Sequence, residues 1–359
     1  MNRIKQEQIQ RIADQMVNHT SVFGSVIQIE DEKKTFSFLS ASGNLKENSR
    51  YFIASVTKLY VTAMILILKN KGLLTLDDAM ISFFKKGEVD NLHLYQGVDY
   101  TKEITLRHLL SNQTGLRDYF YYEVTGSKAV DDLEKKDVAW TFEKAMSRVR
   151  TLKPLFKPGQ KGKVNYSDTN FKILGEIIEI VTKMTIDQAF ETYLFKPLKL
   201  EDTFVFTKET NVEIAPLYFK KTILNIPNYM SSIGAEGGIV STASEVMIFL
   251  KAFFSSFYFP KDEISQLTQN YRMIFIPGQF YFGLGIEKLW IPRFMSFKYP
   301  IKNLIGFWGQ TGAFAFYDLD TKVYFTGTIN QASGFGHGKA LMGIIKFIKL
   351  YKNEMKHNL

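Results

Sequence analysis

The sequence predicts an α+β protein in which one sheet is assembled from both ends of the chain, with a mainly helical region inserted between them. Three observations lead there. Strand-like runs lie at residues 25–40 and return at 283–329. Between about residues 75 and 220 the apolar pattern is helical, with long loops. At 359 residues the chain is longer than one average domain but does not divide into two independent ones. The expected division is therefore 1–75 with 221–359 as the sheet-bearing unit, and 76–220 as the insertion.

Taken in order, residues 3–18 read as a polar-faced helix, with Ile4, Ile9, Ile12, Ala13 and Met16 near helical spacing. Strands are expected over Ser25 to Glu30 and Lys34 to Ser40, joined by the turn-like Asp31-Glu32. Ser55 to Lys71 is apolar almost all round, the mark of a central buried helix, and Gly72 closes it. Thr105 to Ser111 and Thr169 to Lys183 are the clearest helices of the insertion; in the second, Phe171, Leu174, Ile177, Ile178 and Val181 form one stripe. A helix over Ile186 to Phe195 is expected to stop at Pro197. After Gly237-Gly238 comes a helix from Thr242 to Phe254. Strands are then expected at Gly283 to Trp290, Ala313 to Asp318 and Val323 to Ile329, the last two a hairpin around Asp320, before a closing helix from Leu341 to Tyr351.

Composition narrows the function. Hydrophobic residues make up 45% and charged residues 23%, an ordinary balance that allows a large core. The net charge is +9, but runs such as Glu32-Lys33-Lys34 and Glu134-Lys135-Lys136 mix signs and read as solvated faces, so nucleic acid is not an expected partner. With no cysteine there is neither a disulfide framework nor thiol chemistry. The longest apolar run, Met64 to Leu68, is too short to span a bilayer, and the first residues lead into an amphipathic helix, not an apolar signal core. The chain is expected to be cytoplasmic as it stands, or extracytoplasmic if a leader has been removed. His19, His93, His108, His337 and His357 are scattered without metal-ligand spacing, so no metal and no cofactor is expected.

Three motifs carry chemistry. In Ser55-Val56-Thr57-Lys58 a serine and a lysine three apart share one helix face, close enough to touch. A serine at a helix start has unpaired N–H groups beside it, and an amine walled in by apolar side chains loses its preference for the charged form. Such an amine is a possible general base for the hydroxyl. Ser82-Phe83-Phe84-Lys85 has the same spacing, but in a surface-like stretch. Tyr166-Ser167-Asp168 follows Pro158-Gly159 and opens a helix; Asp168 or Ser167 could simply cap it, or the Tyr166 phenol could shuttle a proton for Ser55. Gly306-Phe307-Trp308-Gly309-Gln310-Thr311-Gly312 supplies a tight strand edge on which a reacting carbonyl could lie. Gly334 to Lys339 lacks the Ser or Thr and the glycine spacing of a phosphate loop and reads as a turn.

The residues around these motifs resemble one family: Phe52 to Lys58, Ile104 to Ser111 with Thr114-Gly115-Leu116, Phe156 to Gly159, Pro197 to Leu200, Gly237 to Thr242 and Gly283-Leu284-Gly285. The chain is similar, from about residue 20 to 350, to the serine β-lactamase-related hydrolases, which include class C β-lactamases, low-molecular-weight penicillin-binding proteins, D-alanyl-D-alanine carboxypeptidases and esterases. The resemblance implies the β-lactamase/transpeptidase-like fold, an antiparallel sheet flanked by helices. It implies Ser55 as nucleophile, Lys58 and Tyr166 as proton carriers, and an oxyanion hole from the N–H of Ser55 and of the residue after the third motif. The preferred frame sets that motif on Phe307-Trp308-Gly309 and the donor on Gln310, because the following Phe-rich strand aligns with it; the alternative frame sets the motif on Gln310-Thr311-Gly312. Phe307 then stands where relatives carry a Lys or His that binds a substrate carboxylate, which turns the expectation toward uncharged esters. Asp168 stands where Asn is usual; its charge would hold Lys58 as an ammonium and move the base role to a Tyr166 phenolate, while Asn170 could restore the amide if turned inward. The implied function is a serine hydrolase of small-molecule or peptide esters and amides. The alternative is a non-catalytic or slowly deacylating penicillin-binding or sensor protein of the same fold.

Overall fold

A computed structural model describes residues 4–124, 128–133, 136–275, 279–296, 299–334 and 336–357. Arg3, the Glu134-Lys135 pair and Phe335, all used in the sequence reading, lie outside the described residues.

Helix α1 (Gln6–Met16) precedes a hairpin of strands β1 (Gly24–Asp31) and β2 (Ser37–Gly43). The buried helix α2 (Thr57–Asn70) follows, then the insertion, whose longest helix is α3 (Asp168–Thr182). A one-turn helix α4 (Gly234–Gly237) and helix α5 (Ala243–Phe254) return the chain to the sheet. Strands β3 (Arg272–Phe275), β4 (Phe280–Phe282), β5 (Glu287–Ile291), β6 (Ile301–Trp308), β7 (Phe314–Asp318) and β8 (Val323–Thr328) then lead into helix α6 (His337–His357).

Among the described residues the large sheet runs β3-β4-β5-β6-β7-β8-β1-β2 and is antiparallel throughout. The seam between the two ends of the chain is the β1–β8 pair, with Val26 opposite Thr328. Alternation along the strands separates two cores. On one face Val26, Ile305, Phe307, Ala315 and Tyr317 pack against α2 and the helices beyond it. On the other, Ile27, Ile29, Leu304, Phe314, Phe316 and Phe325 pack beneath α1 and α6, whose contacts include Ile9, Ile12, Ile344 and Ile348. No helix among the described residues is long and apolar enough to cross a membrane.

Strands β3 and β4 are not among those expected, and β2 begins at Ser37 instead of Lys34; three further elements differ. The run from Gly283 to Trp290 is not one strand: residues 283–286 form the turn between β4 and β5, with Gly285 at φ +72° and Gly283 N–H donating to Ile286 O at 2.8 Å. This turn docks on α2, since the Thr62 hydroxyl donates to Gly285 O at 2.9 Å. Pro197 does not end its helix at Phe195. The chain widens into a π-turn over Glu191–Phe195 and continues through Leu198, because Pro197 sits in the first turn of the next segment, where its missing N–H has no helical partner to lose. Strand β6 carried no clear alternation in the sequence; its residues from Leu304 to Phe307 are buried on both faces, which removes the period-two signal.

Candidate active site

Ser55 stands where the chain leaves the short strand Tyr51–Phe52 and enters α2. Ala54–Val56 form a single 3-10 turn, entered through Ala54 at φ +45°, a left-handed conformation that costs an L-residue about 1 kcal/mol. The bend is held from outside. Ile53 N–H donates to Ile239 O at 3.0 Å, and the Thr311 hydroxyl donates to Phe52 O at 2.7 Å. As a first-turn residue, Ser55 keeps an N–H with no acceptor among the described residues.

Lys58 lies one turn on, wholly buried, with Nζ donating to Ser55 Oγ at 2.9 Å and to Glu236 O at 2.7 Å. Asp168 Oδ1 is 2.8 Å from the same nitrogen. Lys58 is therefore not walled in by apolar groups alone, as its helix suggested; three polar neighbours converge on it.

Tyr166 reaches the site from the other side, its hydroxyl hydrogen-bonded to Ser55. Burial, reinforced by the nearby carboxylate of Asp168, pushes this phenol well above its usual range. The expected Tyr166 phenolate is thus disfavoured. The Lys58 charge that would have stabilised it is answered by Asp168, and the ring lies in an apolar wall with Phe282 and Phe307 at 5.8 and 6.4 Å between centroids.

The start of α3 owes its position to the loop of residues 112–118, whose Asn112 and Asp118 the sequence reading did not single out. Ser167 makes no side-chain cap. Instead Ser167 N–H donates to Asn112 Oδ1 at 3.2 Å and Asp168 N–H to Asp118 Oδ2 at 2.5 Å. Asn170 belongs to this lacing and not to the cleft: its amide donates to Asn112 Oδ1 and its carbonyl accepts from the Thr114 hydroxyl, both at 2.7 Å. It cannot also serve a substrate. Asp118, buried and facing Asp168, has its carboxyl pushed up to about 7, chiefly by burial.

The third motif closes the site. Phe307 faces α2 and is wholly buried, so it lines neither cleft; Trp308, on the opposite face, lines one of them, and its indole N–H donates to His337 Nδ1 at 3.1 Å. Gly309 runs against the segment leading into Ser55 so closely that a Cβ there would sit 2.5 Å from Ile53 O and 3.3 Å from Ala54 Cβ. Only glycine allows that approach. Gln310 follows directly. Its side chain is tied to Ala332 O at 2.7 Å, and its backbone N–H has no acceptor among the described residues. Two clefts of about 380 and 540 Å³ meet at Ser55, Asp168 and Gln310. The smaller is apolar, with Leu217, Phe219, Leu224, Ile226 and Met230 in its wall.

Two buried acids were also missed. Glu236, in α4, pairs with Lys172 at 2.8 Å and accepts from the Tyr119 hydroxyl at 2.6 Å, which fixes the carbonyl that Lys58 uses. Glu287, on β5, lines the larger cleft. Neither lies in a recognisable motif; only a charged residue amid an apolar stretch could have flagged them.

Comparison with known proteins agrees with this architecture. Residues 9–344 match the family model described as Beta-lactamase. Penicillin-binding protein 4* of Bacillus subtilis is 23% identical over 233 residues, covering 60% of this chain and 48% of its own length, so the chain spans about half of that relative. A D-stereospecific amidohydrolase from Streptomyces sp. has the same fold at 24% identity and TM-score 0.74, over 92% of this chain and 95% of that one. D-amino acid amidase from Ochrobactrum anthropi SV3, in complex with L-phenylalanine, reaches TM-score 0.80 at 19% identity, over 98% and 100% of the two chains. With the matched region running from its first helix into its last, around a sheet built from both ends of the chain, this protein belongs to the Beta-lactamase family.

Proposed function

We propose that this protein is a serine hydrolase that cleaves esters or small amides through an acyl-enzyme on Ser55. The observation that carries the reading is the Ser55–Lys58 contact at 2.9 Å, at the meeting point of two clefts, with two unengaged backbone N–H groups beside it. A substrate carbonyl lying between Ser55 and Gln310 would have both N–H groups as donors for the oxyanion. Ser55 Oγ attacks the carbonyl carbon while its proton passes to Lys58 Nζ, which yields one of its own to the Asp168 carboxylate beside it. Tyr166 gives its proton to the leaving oxygen or nitrogen as the scissile bond breaks and is reprotonated from that relay. Water then repeats the sequence on the ester at Ser55 and releases the acid. Because the Tyr166 phenol is held protonated, its role suits the donor in the second half of each exchange better than the initial base.

The apolar wall of the smaller cleft supports an apolar acyl or side-chain group in the substrate. The amidohydrolase and amidase names of the structural neighbours fit an amide or ester, and the burial of Phe307 leaves that position without a cation for a substrate carboxylate. The test is hydrolysis of p-nitrophenyl butyrate by wild-type and Ser55→Ala protein, with mass spectrometry of protein quenched during turnover. Activity lost in the variant, together with an acyl adduct on Ser55, is the expected result. An adduct that accumulates without turnover favours the acyl-binding sensor, and equal activity in both proteins removes Ser55 as nucleophile.

A further inference from the structure

The larger cleft beside Ser55 has a charge pattern opposite to that of the whole protein. The chain carries a net +9, yet this cleft is lined by Asp118, Asp168 and Glu287, with no lysine or arginine among its described lining residues. The three carboxylates are not equivalent. Asp168 is matched by Lys58 at 2.8 Å. Asp118 spends its oxygens on backbone donors, accepting from Phe120 and Tyr121 at 2.8 and 3.0 Å and from Asp168 N–H at 2.5 Å.

Glu287 differs. It is 4% exposed, and Oε2 accepts from Trp308 N–H at 2.8 Å. Its other oxygen, Oε1, has no hydrogen-bond or ion-pair partner among the described residues. A carboxylate withdrawn from water and given one neutral donor is poorly compensated; it must hold a proton or meet a cation. The nearest fixed cation, Lys58, is already committed to Asp168, Ser55 and Glu236. The cleft also offers aromatic faces, from Tyr121, Tyr122 and Trp308, that attract a positive charge through their rings.

We propose that Glu287 seats the ammonium group of an amine-bearing substrate, so that the protein acts on small esters or amides with a free primary amine, such as the ester or amide of an amino acid. The proposal rests on the hydrolase reading of Ser55 and names its substrate class. The amine nitrogen takes the place of the missing partner at Oε1, and the carbonyl points toward Ser55 and Gln310 at the junction of the clefts. A carboxylate-bearing ligand would find three acidic side chains and no free cation among the described lining residues.

Binding and turnover test this separately. Calorimetric titration of the wild-type protein at pH 7.5 would compare 2-phenylethylammonium, neutral 3-phenylpropan-1-ol and 3-phenylpropionate, none of which can be hydrolysed. The ammonium is expected to bind about tenfold or more tightly than either competitor, and Glu287→Gln should bring it to within about twofold of the alcohol. Equal binding of all three, tighter binding of the carboxylate, or a preference that survives in Glu287→Gln overturns the proposal. Should the variant fail to fold, a crystal structure of the wild-type protein with 2-phenylethylammonium decides: nitrogen in hydrogen-bond reach of Glu287 supports the site, and nitrogen elsewhere refutes it. In parallel, turnover of phenylalanine p-nitrophenyl ester and of its N-acetyl form is compared. No hydrolysis of either would sink the Ser55 reading while leaving the ammonium site to be judged by calorimetry; a wild-type preference for the acetylated form would sink the ammonium site alone.

Discussion

Gly309→Ala isolates the contribution of the third motif. The added Cβ would lie 2.5 Å from Ile53 O, where an unstrained contact needs about 3.5 Å, so one strand must retreat by roughly 1 Å. Retreat of the Gly309 side carries the Gln310 N–H away from Ser55. Retreat of the other side disturbs the bend at Ala54 that presents Ser55. Either movement spoils an oxyanion donor, and a lost donor or a 1 Å misplacement lowers kcat by about 100-fold, or about 2.7 kcal/mol in the barrier. The overpacking itself should lower folding stability by about 1–3 kcal/mol. The assay is steady-state hydrolysis of p-nitrophenyl butyrate beside urea unfolding of the same preparation. A folded Gly309→Ala protein with kcat within about twofold of wild type would refute the placement of Gln310 as a donor.

Other perturbations address separate parts of the structure. Burial pushes the Glu287 carboxyl up to about 8, against about 4.3 in an unfolded chain, so the folded protein holds a proton that the unfolded chain has lost between those values. Stability from this group therefore falls as pH rises from about 4.5 to 8, by up to about 1.4 kcal/mol per unit; Glu287→Gln should flatten that slope in urea titrations, and an unchanged slope would show the carboxyl to be unperturbed. Glu236→Ala leaves Lys172 buried without its partner and should cost about 3–5 kcal/mol, while replacing both residues by Met should recover most of it; a single variant as stable as wild type in urea would count against the buried pair. Phe307→His puts a polar ring at a wholly buried position that lines neither cleft, so it should cost about 1–3 kcal/mol in urea unfolding and leave the kcat/KM ratio of a carboxylate-bearing ester to an uncharged one within about twofold of wild type; a tenfold rise in that ratio would show that position 307 reaches the substrate.

The legible parts of this protein were those written locally. The period of the apolar residues located α1, α2, α3 and α5 and the β7–β8 hairpin to within a few residues, because each buries one face or one stripe. Ser55, Lys58 and Tyr166 could be named because two short motifs and their flanks carry them. Strand β6 could not be read, since burial on both faces erases alternation. Asn170 was misjudged for a related reason: whether a polar side chain at a helix start turns to the cleft or to the protein depends on Asn112 and Thr114, more than fifty residues away. Glu236 and Glu287 were invisible because their environments are assembled by contacts across the fold, and a lone acidic letter does not announce its burial.

The seam between β1 and β8 sets an order of events during synthesis. Val26 must wait for Thr328, almost the whole chain later, before its strand is paired on that side. Until then the β1–β2 hairpin leaves the ribosome with its β1 edge open as well as that of β2, and open edges are the kind that join other chains. Such distant pairing also makes for slow closure. The same delay runs through the chemistry: Ser55 emerges early, while Gly309 and Gln310 arrive among the last strands. A nascent chain stopped before β6 would carry Ser55 and Lys58 without Gln310, the second of the two proposed oxyanion donors, so on this reading the serine stays idle until the sheet is complete.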